Sequence, residues 1–111
     1  MSGYDIFKKA LLRLSYTKFE NNLSVQALEF INQICIDLKL PAVENLSQEM
    51  NLSADIAEAV CCGLAMLLSL SEGDSEKNRI YTNMYNSKRA AVLSKTTYVE
   101  DVLPNFENGG E

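Results

Sequence analysis

The sequence predicts an all-α fold: a small bundle of about four helices with an extended C-terminal tail. Three observations predict it. Apolar residues recur at helical spacing over 4–15 and again over 24–38. A nearly all-apolar stretch from Ile56 to Leu70 breaks at Glu72-Gly73-Asp74, then restarts as a Tyr-rich, basic segment through Tyr81, Tyr85, Lys88 and Arg89. Alternation with period two is confined to short pieces such as Tyr98 to Leu103, so nothing reads as a sheet.

In the first helix, Ile6, Phe7, Ala10, Leu11 and Leu14 share one side, with Lys8, Lys9 and Arg13 on the other. A polar break follows at Phe19 to Asn22. Ser24 reads as the N-cap of a second helix, whose core stripe is Val25, Leu28, Ile31, Ile34, Cys35 and Leu38, while Glu29, Asn32, Gln33 and Asp37 face out. Pro41 ends it, because the residue before a proline is pushed out of the α region. A long connection, 42–52, carries Leu46 and Met50 and at most one helical turn.

Ser53 caps the third helix, with Asp55 and Glu58 in its first turns, where the helix dipole favours anions. Gly63 inside that helix implies a close backbone crossing, since glycine there costs about 0.8–1 kcal/mol against alanine. Gly73 has the character of a residue that ends a helix, and Asp74 that of the next N-cap. The fourth helix is expected from Ser75 to about Ser94. Its packing side is Ile80, Met84, Ala91 and Val92 with Tyr81 and Tyr85, and Arg79, Lys88 and Arg89 lie largely elsewhere. Beyond it, the tail from 97 to 111 holds Tyr98, Val99, Val102, Leu103 and Phe106, with Pro104 ending the one strand-like piece. These residues either fold back on their own bundle or insert into a neighbouring chain as a strand-like addition. The division is therefore a helical domain over 1–96 and a docking tail over 97–111.

With 111 residues the chain holds one domain, long enough to bury one core without metal or disulfide staples. The start shows no targeting signal, and the longest apolar run carries Glu58 and falls short of the roughly 20 residues of a membrane helix, so a cytosolic, membrane-free protein is expected. Its three cysteines, Cys35, Cys61 and Cys62, lie in apolar helical patterns and read as small buried hydrophobes of a reducing compartment. There is no histidine, which removes His-dependent catalysis and most zinc-ligand sets. The carboxylates stand singly on helix faces or at caps, and Gly109-Gly110 has no strand before it and no helix after it to make a phosphate cradle. No catalytic residue, metal ligand or cofactor site is expected, and the chain does not read as an enzyme.

Net charge is −5, and it is blocky: +2 over 1–28, −8 over 29–76, +5 over 77–95 and −4 from 96 onward. Opposite blocks on one small domain favour head-to-tail self-association or docking to charged partners. The cations Arg79, Lys88, Arg89 and Lys95 are candidates for a DNA-facing or inter-subunit surface, with Tyr81 and Tyr85 near enough to stack on bases.

The succession Gly63-Leu64-Ala65, Glu72-Gly73-Asp74, Asn83 to Arg89 and Glu100-Asp101-Val102-Leu103-Pro104, with the earlier Ala27-Leu28 and Ile31-Asn32, resembles the small head–tail connector (adaptor, or head-completion) proteins of tailed bacteriophages. The likeness covers about residues 24–104. It implies a mostly helical virion protein that forms a cyclic ring on the portal, joins capsid to tail or stopper protein, and permits passage of genomic DNA. It also implies that Gly73 and Asp74 form the turn between the two long helices and that Tyr85 and Arg89 lie near the lumen or a neighbouring subunit. Val102, Leu103 and Pro104 would belong to the docking tail. The expected location is the head–tail junction, after assembly in the host cytoplasm. The alternative is a small cytosolic nucleic-acid-binding regulator that uses the basic fourth helix; a plain dimeric interaction protein is a third reading.

Overall fold

The computed structural model describes residues 1–16 and 23–108, with side chains described through Ser94. Four helices follow in order: α1 (Gly3–Leu14), α2 (Leu23–Asp37), α3 (Ala54–Ser71) and α4 (Ser75–Asn108). Among the described residues there is no strand beyond one isolated bridge, Ser2 to Glu49. The all-α reading is correct.

α3 is the axis. Its buried residues run without a gap from Ala59 to Ala65 and resume at Leu68 and Ser69, because α1, α2 and α4 all pack against it. At 18 residues and a mean hydropathy of 1.6 it is long and apolar enough to cross a membrane. The three helices laid around it account for that composition without a bilayer. Gly63 sits where two neighbours press closest. A Cβ there would fall 2.7 Å from Ile34 Cδ1 of α2 and 3.0 Å from Tyr85 Cε1 of α4, so the neighbours do approach closely, through side chains rather than backbone.

The helix ends follow local chemistry. Ser2 and Asp5 form a capping box at α1, Ser53 Oγ accepts the Ile56 N–H at 3.4 Å, and Asp74 Oδ1 accepts the Lys77 N–H at 3.3 Å. α1, α2 and α3 each end in the same double bond. The N–H groups of Tyr16, Leu40 and Asp74 reach back five residues, and those of Ser15, Lys39 and Gly73 reach back three. That geometry needs a left-handed residue, and Ser15 (φ 61), Lys39 (φ 62) and Gly73 (φ 73) supply it. α2 therefore stops ahead of Pro41, at Asp37, with Lys39 as the left-handed residue beyond its end. Ser24 lies inside α2, which begins at Leu23, so it is not the N-cap expected of it. The polar break at Phe19 to Asn22 lies outside the described residues.

The 40–52 connection is folded onto the bundle. Val43, Leu46 and Met50 are buried. Both ends of the Asn32 amide hold Val43: Nδ2 donates to its carbonyl at 3.0 Å, and Oδ1 accepts its N–H at 2.8 Å. Further on, the Leu46 carbonyl accepts the Tyr4 N–H at 2.9 Å, and the Met50 N–H reaches the Met1 carbonyl at 2.9 Å. The segment thus stitches α2 to the start of α1.

Two core stripes differ from expectation. All five expected α1 residues are buried, but in α2 Val25 is 63% exposed, although Ile31, Ile34, Cys35 and Leu38 are buried as expected. In α4 the inward line is Tyr81, Tyr85 and Val92, while Ile80 and Met84 are 42% and 38% exposed and Ala91 faces out. At 100° per residue, Ile80 and Met84 sit one step round from Tyr81 and Tyr85, and the tyrosines won the core because each finds a polar partner for its hydroxyl.

The C-terminal region also differs. Backbone helix continues to Asn108, where an end near Ser94 and an extended tail from 97 were expected. The same apolar residues that alternate as a strand also fit a helix, since Val99, Val102, Leu103 and Phe106 fall at i, i+3, i+4 and i+7.

Candidate interaction surface

Charged side chains hold the helices in place. Arg13 of α1 makes a forked ion pair with Glu58 of α3, in which Nη2 donates to Oε1 at 2.9 Å and Nη1 to Oε2. That hydrogen bond is the main cause of the lowered Glu58 pKa; partial burial opposes it. Near the end of α1, Lys77 Nζ donates to the Leu14 carbonyl and lies 5.2 Å from the centre of the Tyr16 ring. The Tyr16 hydroxyl donates to Asp74 Oδ2 at 3.0 Å, and its own pKa is pushed up to about 12, by burial first and then by that bond. Gly73 and Asp74 therefore form the α3–α4 turn, and the turn is anchored to α1 as well.

At the end of α2, Asp37 Oδ2 accepts two bonds from α4: Tyr85 Oη at 2.5 Å and Arg89 Nε at 2.7 Å. Desolvation pushes the Asp37 carboxyl up, but the Tyr85 and Arg89 bonds together outweigh it and leave the pKa lowered.

These pairings redistribute the expected basic surface. Arg89 is spent on Asp37, and Lys77 on α1 and Asp74. Lys88 is half-buried beside a shallow groove of about 230 Å³ that it lines with Asp55, Glu58, Ala91 and Val92. Arg79 is exposed. Lys95 lies outside the described side chains, as do Tyr98, Val99, Val102, Leu103, Pro104 and Phe106. Their backbone belongs to α4, so the extended form expected of them gives way to a helical one.

The cysteines are free and buried. Burial pushes all three thiols up, Cys61 to about 11, which keeps them protonated and unreactive near neutral pH. Among the described residues, no group of three His, Cys, Asp or Glu side chains could hold a metal ion. A second groove, about 240 Å³, runs along Leu40 to Val43 and Gln48 to Leu52, and Glu49 is its one charged residue.

Several large apolar side chains are left exposed, most of them on the outer helices, with Leu70 of α3 also 63% exposed. Leu12 of α1 is 78% exposed and Ile36 of α2 73%, with Tyr4, Val25, Ile80 and Met84 less so. Sequence reasoning missed the outer faces of α1 and α2. The signal was there in α2: Val25 stands one turn before Glu29, two before Gln33 and three before Ile36, on the polar side of the helix. No family model, curated protein or solved structure matches this chain.

Proposed function

We propose that this chain is a structural protein of a tailed-phage virion: a helical head–tail adaptor that assembles as a cyclic ring on the portal, joins capsid to tail or stopper protein, and lets the genome pass. It acts as a binding subunit and carries out no catalysis of its own. The sequence resemblance over about 24–104 suggests the class. The structural observation that carries the reading is the disparity between α3 and α4, of 18 and 34 residues. α4 folds back along α3 from a tight turn, so roughly its second half, some 25 Å at 1.5 Å per residue, extends past the helix it packs on. That half contains Val99, Val102, Leu103 and Phe106 at the spacing of one helix face. An apolar helix face is itself a docking element for a groove on a partner, and it replaces the strand-like arm as the element that engages the portal or an adjacent subunit.

The regulator reading is weaker because, of the cations described on α4, only Arg79 is exposed. Of the basic residues described on α4, Lys77 and Arg89 serve contacts inside the protomer, and Lys88 is half-buried among carboxylates. Phosphate binding at those positions would have to break pairs already made.

The test is co-sedimentation with a tailed-phage portal protein, using the full chain and a version ending at Lys95. The full chain is expected to sediment with the portal and to appear as a ring by electron microscopy. The shortened chain should keep its helical circular dichroism, since the described core ends at Val92, but lose the portal. A gene lying far from any portal or capsid gene, or tight duplex DNA binding with a steep salt dependence, would count against the adaptor and for the regulator.

A further inference from the structure

α1 and α2 flank α3 on opposite sides. Each packs against α3, and the two scarcely touch one another. α4 fills one side between them: Tyr81 Oη donates to the Arg13 carbonyl of α1 at 3.2 Å, and Arg89 Nε to Asp37 of α2 at 2.7 Å. The 40–52 segment fills the other, through Val43 on Asn32 of α2 and Leu46 on Tyr4 of α1. The outer faces of α1 and α2 therefore look away from each other.

The two faces have matching chemistry. On α1, Tyr4, Lys8 and Leu12 follow at i, i+4 and i+8, all exposed, with Lys9 beside them. The one acid of that helix, Asp5, is turned back into the Ser2 capping box. On α2, Val25, Glu29 and Ile36 share one exposed side, and the helix contains no cation. Its other acid, Asp37, is held by Tyr85 and Arg89. Each face thus presents two exposed apolar side chains with charge among them, from Lys8 and Lys9 on α1 and from Glu29 on α2. The complementary charge on the two faces is what suits them to each other.

We propose that the partner covering these faces is a second copy of this chain, docked head to tail. Tyr4, Lys8 and Leu12 of one protomer lie on Val25, Glu29 and Ile36 of the next, with the lysine facing the glutamate. This rests on the assembly role proposed above and names the partner and the surface for it. Because the faces are on opposite flanks, the contact is heterologous and leaves one of each free on a dimer. It therefore propagates, closing into a ring where the rotation divides a full turn.

The experiment is sedimentation equilibrium of the full chain over a concentration series. The wild type is expected to rise in mass above the 12.4 kDa protomer, and less so as salt screens the faces. Lys8→Glu and Glu29→Lys should each weaken association at least tenfold by opposing like charges. The chain carrying both changes should recover it. So should an equimolar mixture of the two single variants, because the reversed position of each then meets a residue of opposite sign on the other. Leu12→Ser and Ile36→Ser, at positions the core does not use, should also weaken association while leaving the circular dichroism unchanged. A wild type that stays monomeric overturns the proposal. So does a wild type that associates while neither the double variant nor the mixture recovers. Portal co-sedimentation reads the adaptor role separately: if it succeeds while these variants have no effect, the α1–α2 contact is wrong and the adaptor stands.

Discussion

The Tyr85 hydroxyl donates to Asp37 Oδ2 across 2.5 Å, joining the first half of α4 to the last residue of α2. The phenol is 3% exposed, and its pKa is raised, by burial first and then by the carboxylate it meets. The two residues are 48 apart in sequence, and Arg89 shares the same oxygen. Tyr85→Phe keeps the ring and loses the bond, so it is expected to cost about 1 kcal/mol, less than a fully buried charged bond because Asp37 is partly solvated. Asp37→Ala leaves the phenol without its acceptor and should cost more, about 2 kcal/mol. Urea denaturation measures both; a Tyr85→Phe variant as stable as the wild type would show the bond to be idle.

Acid should loosen the bundle through two carboxylates. Asp37 and Glu58 both have folded pKa values below their ordinary range. A depressed carboxylate contributes stability that is complete above its unfolded pKa, near 4, and is lost as pH falls through the folded value. Stability is therefore expected to be flat from neutral pH down to about 5 and to decline below about 4. Asp37→Asn and Glu58→Gln should each be less stable at pH 7 and show a shallower acid decline. Thermal unfolding at intervals from pH 7 to 2.5 tests it, and an unchanged slope in both variants would contradict it.

Gly63 predicts a sign opposite to helix propensity. On an exposed helix, glycine to alanine gains about 1 kcal/mol. Here the new methyl would stand 2.7 Å from Ile34 Cδ1 and 3.0 Å from the Tyr85 ring, which the Asp37 bond holds in place. Gly63→Ala is expected to lose about 1 kcal/mol on balance, and Gly63→Val about 3 kcal/mol. A rise in melting temperature for the alanine variant would mean that α2 and α4 give way easily.

Ser15 and Lys39 hold left-handed backbone without being glycine. That conformation costs an L-residue roughly 1–2 kcal/mol, partly offset because glycine has more freedom to lose on folding. Lys39→Gly and Ser15→Gly are each expected to stabilise by about 0.5–1 kcal/mol, several degrees in melting temperature for a chain of this size. Differential scanning calorimetry reads the change. Gly73→Ala should do the reverse, since Gly73 occupies the same conformation with open space around it.

Much of the fold was legible beforehand. The α1 stripe, the caps at Ser53 and Asp74, the ending at Gly73 and the close approach at Gly63 were all read from residues and their spacing. The outward positions of Val25, Ile80 and Met84 were not. Met84 adjoins the buried Tyr85, Ile80 the half-buried Tyr81, and Val25 two half-buried residues, and amino-acid type does not say which neighbour a helix will turn toward. Two cations of the basic stretch of α4 were not foreseen as internal contacts for a related reason: Arg89 and Lys77 find their partners 52 and 63 residues away. The candidate α1 and α2 surface went unnoticed because exposed leucine and isoleucine look like core until burial is known.

Local chemistry alone determined where α3 and α4 start, where α3 stops and that α3 would be central. Those outcomes depend on side chains within a turn or two of each other: a serine or aspartate oxygen near free N–H groups, a glycine able to go left-handed, an apolar run with no polar side. Only tertiary packing decided which arc of α2 and α4 is buried, which cations are spent on carboxylates, and that α1 and α2 present faces of opposite charge in opposite directions. Those depend on distances between segments remote in sequence, which helical periodicity does not encode.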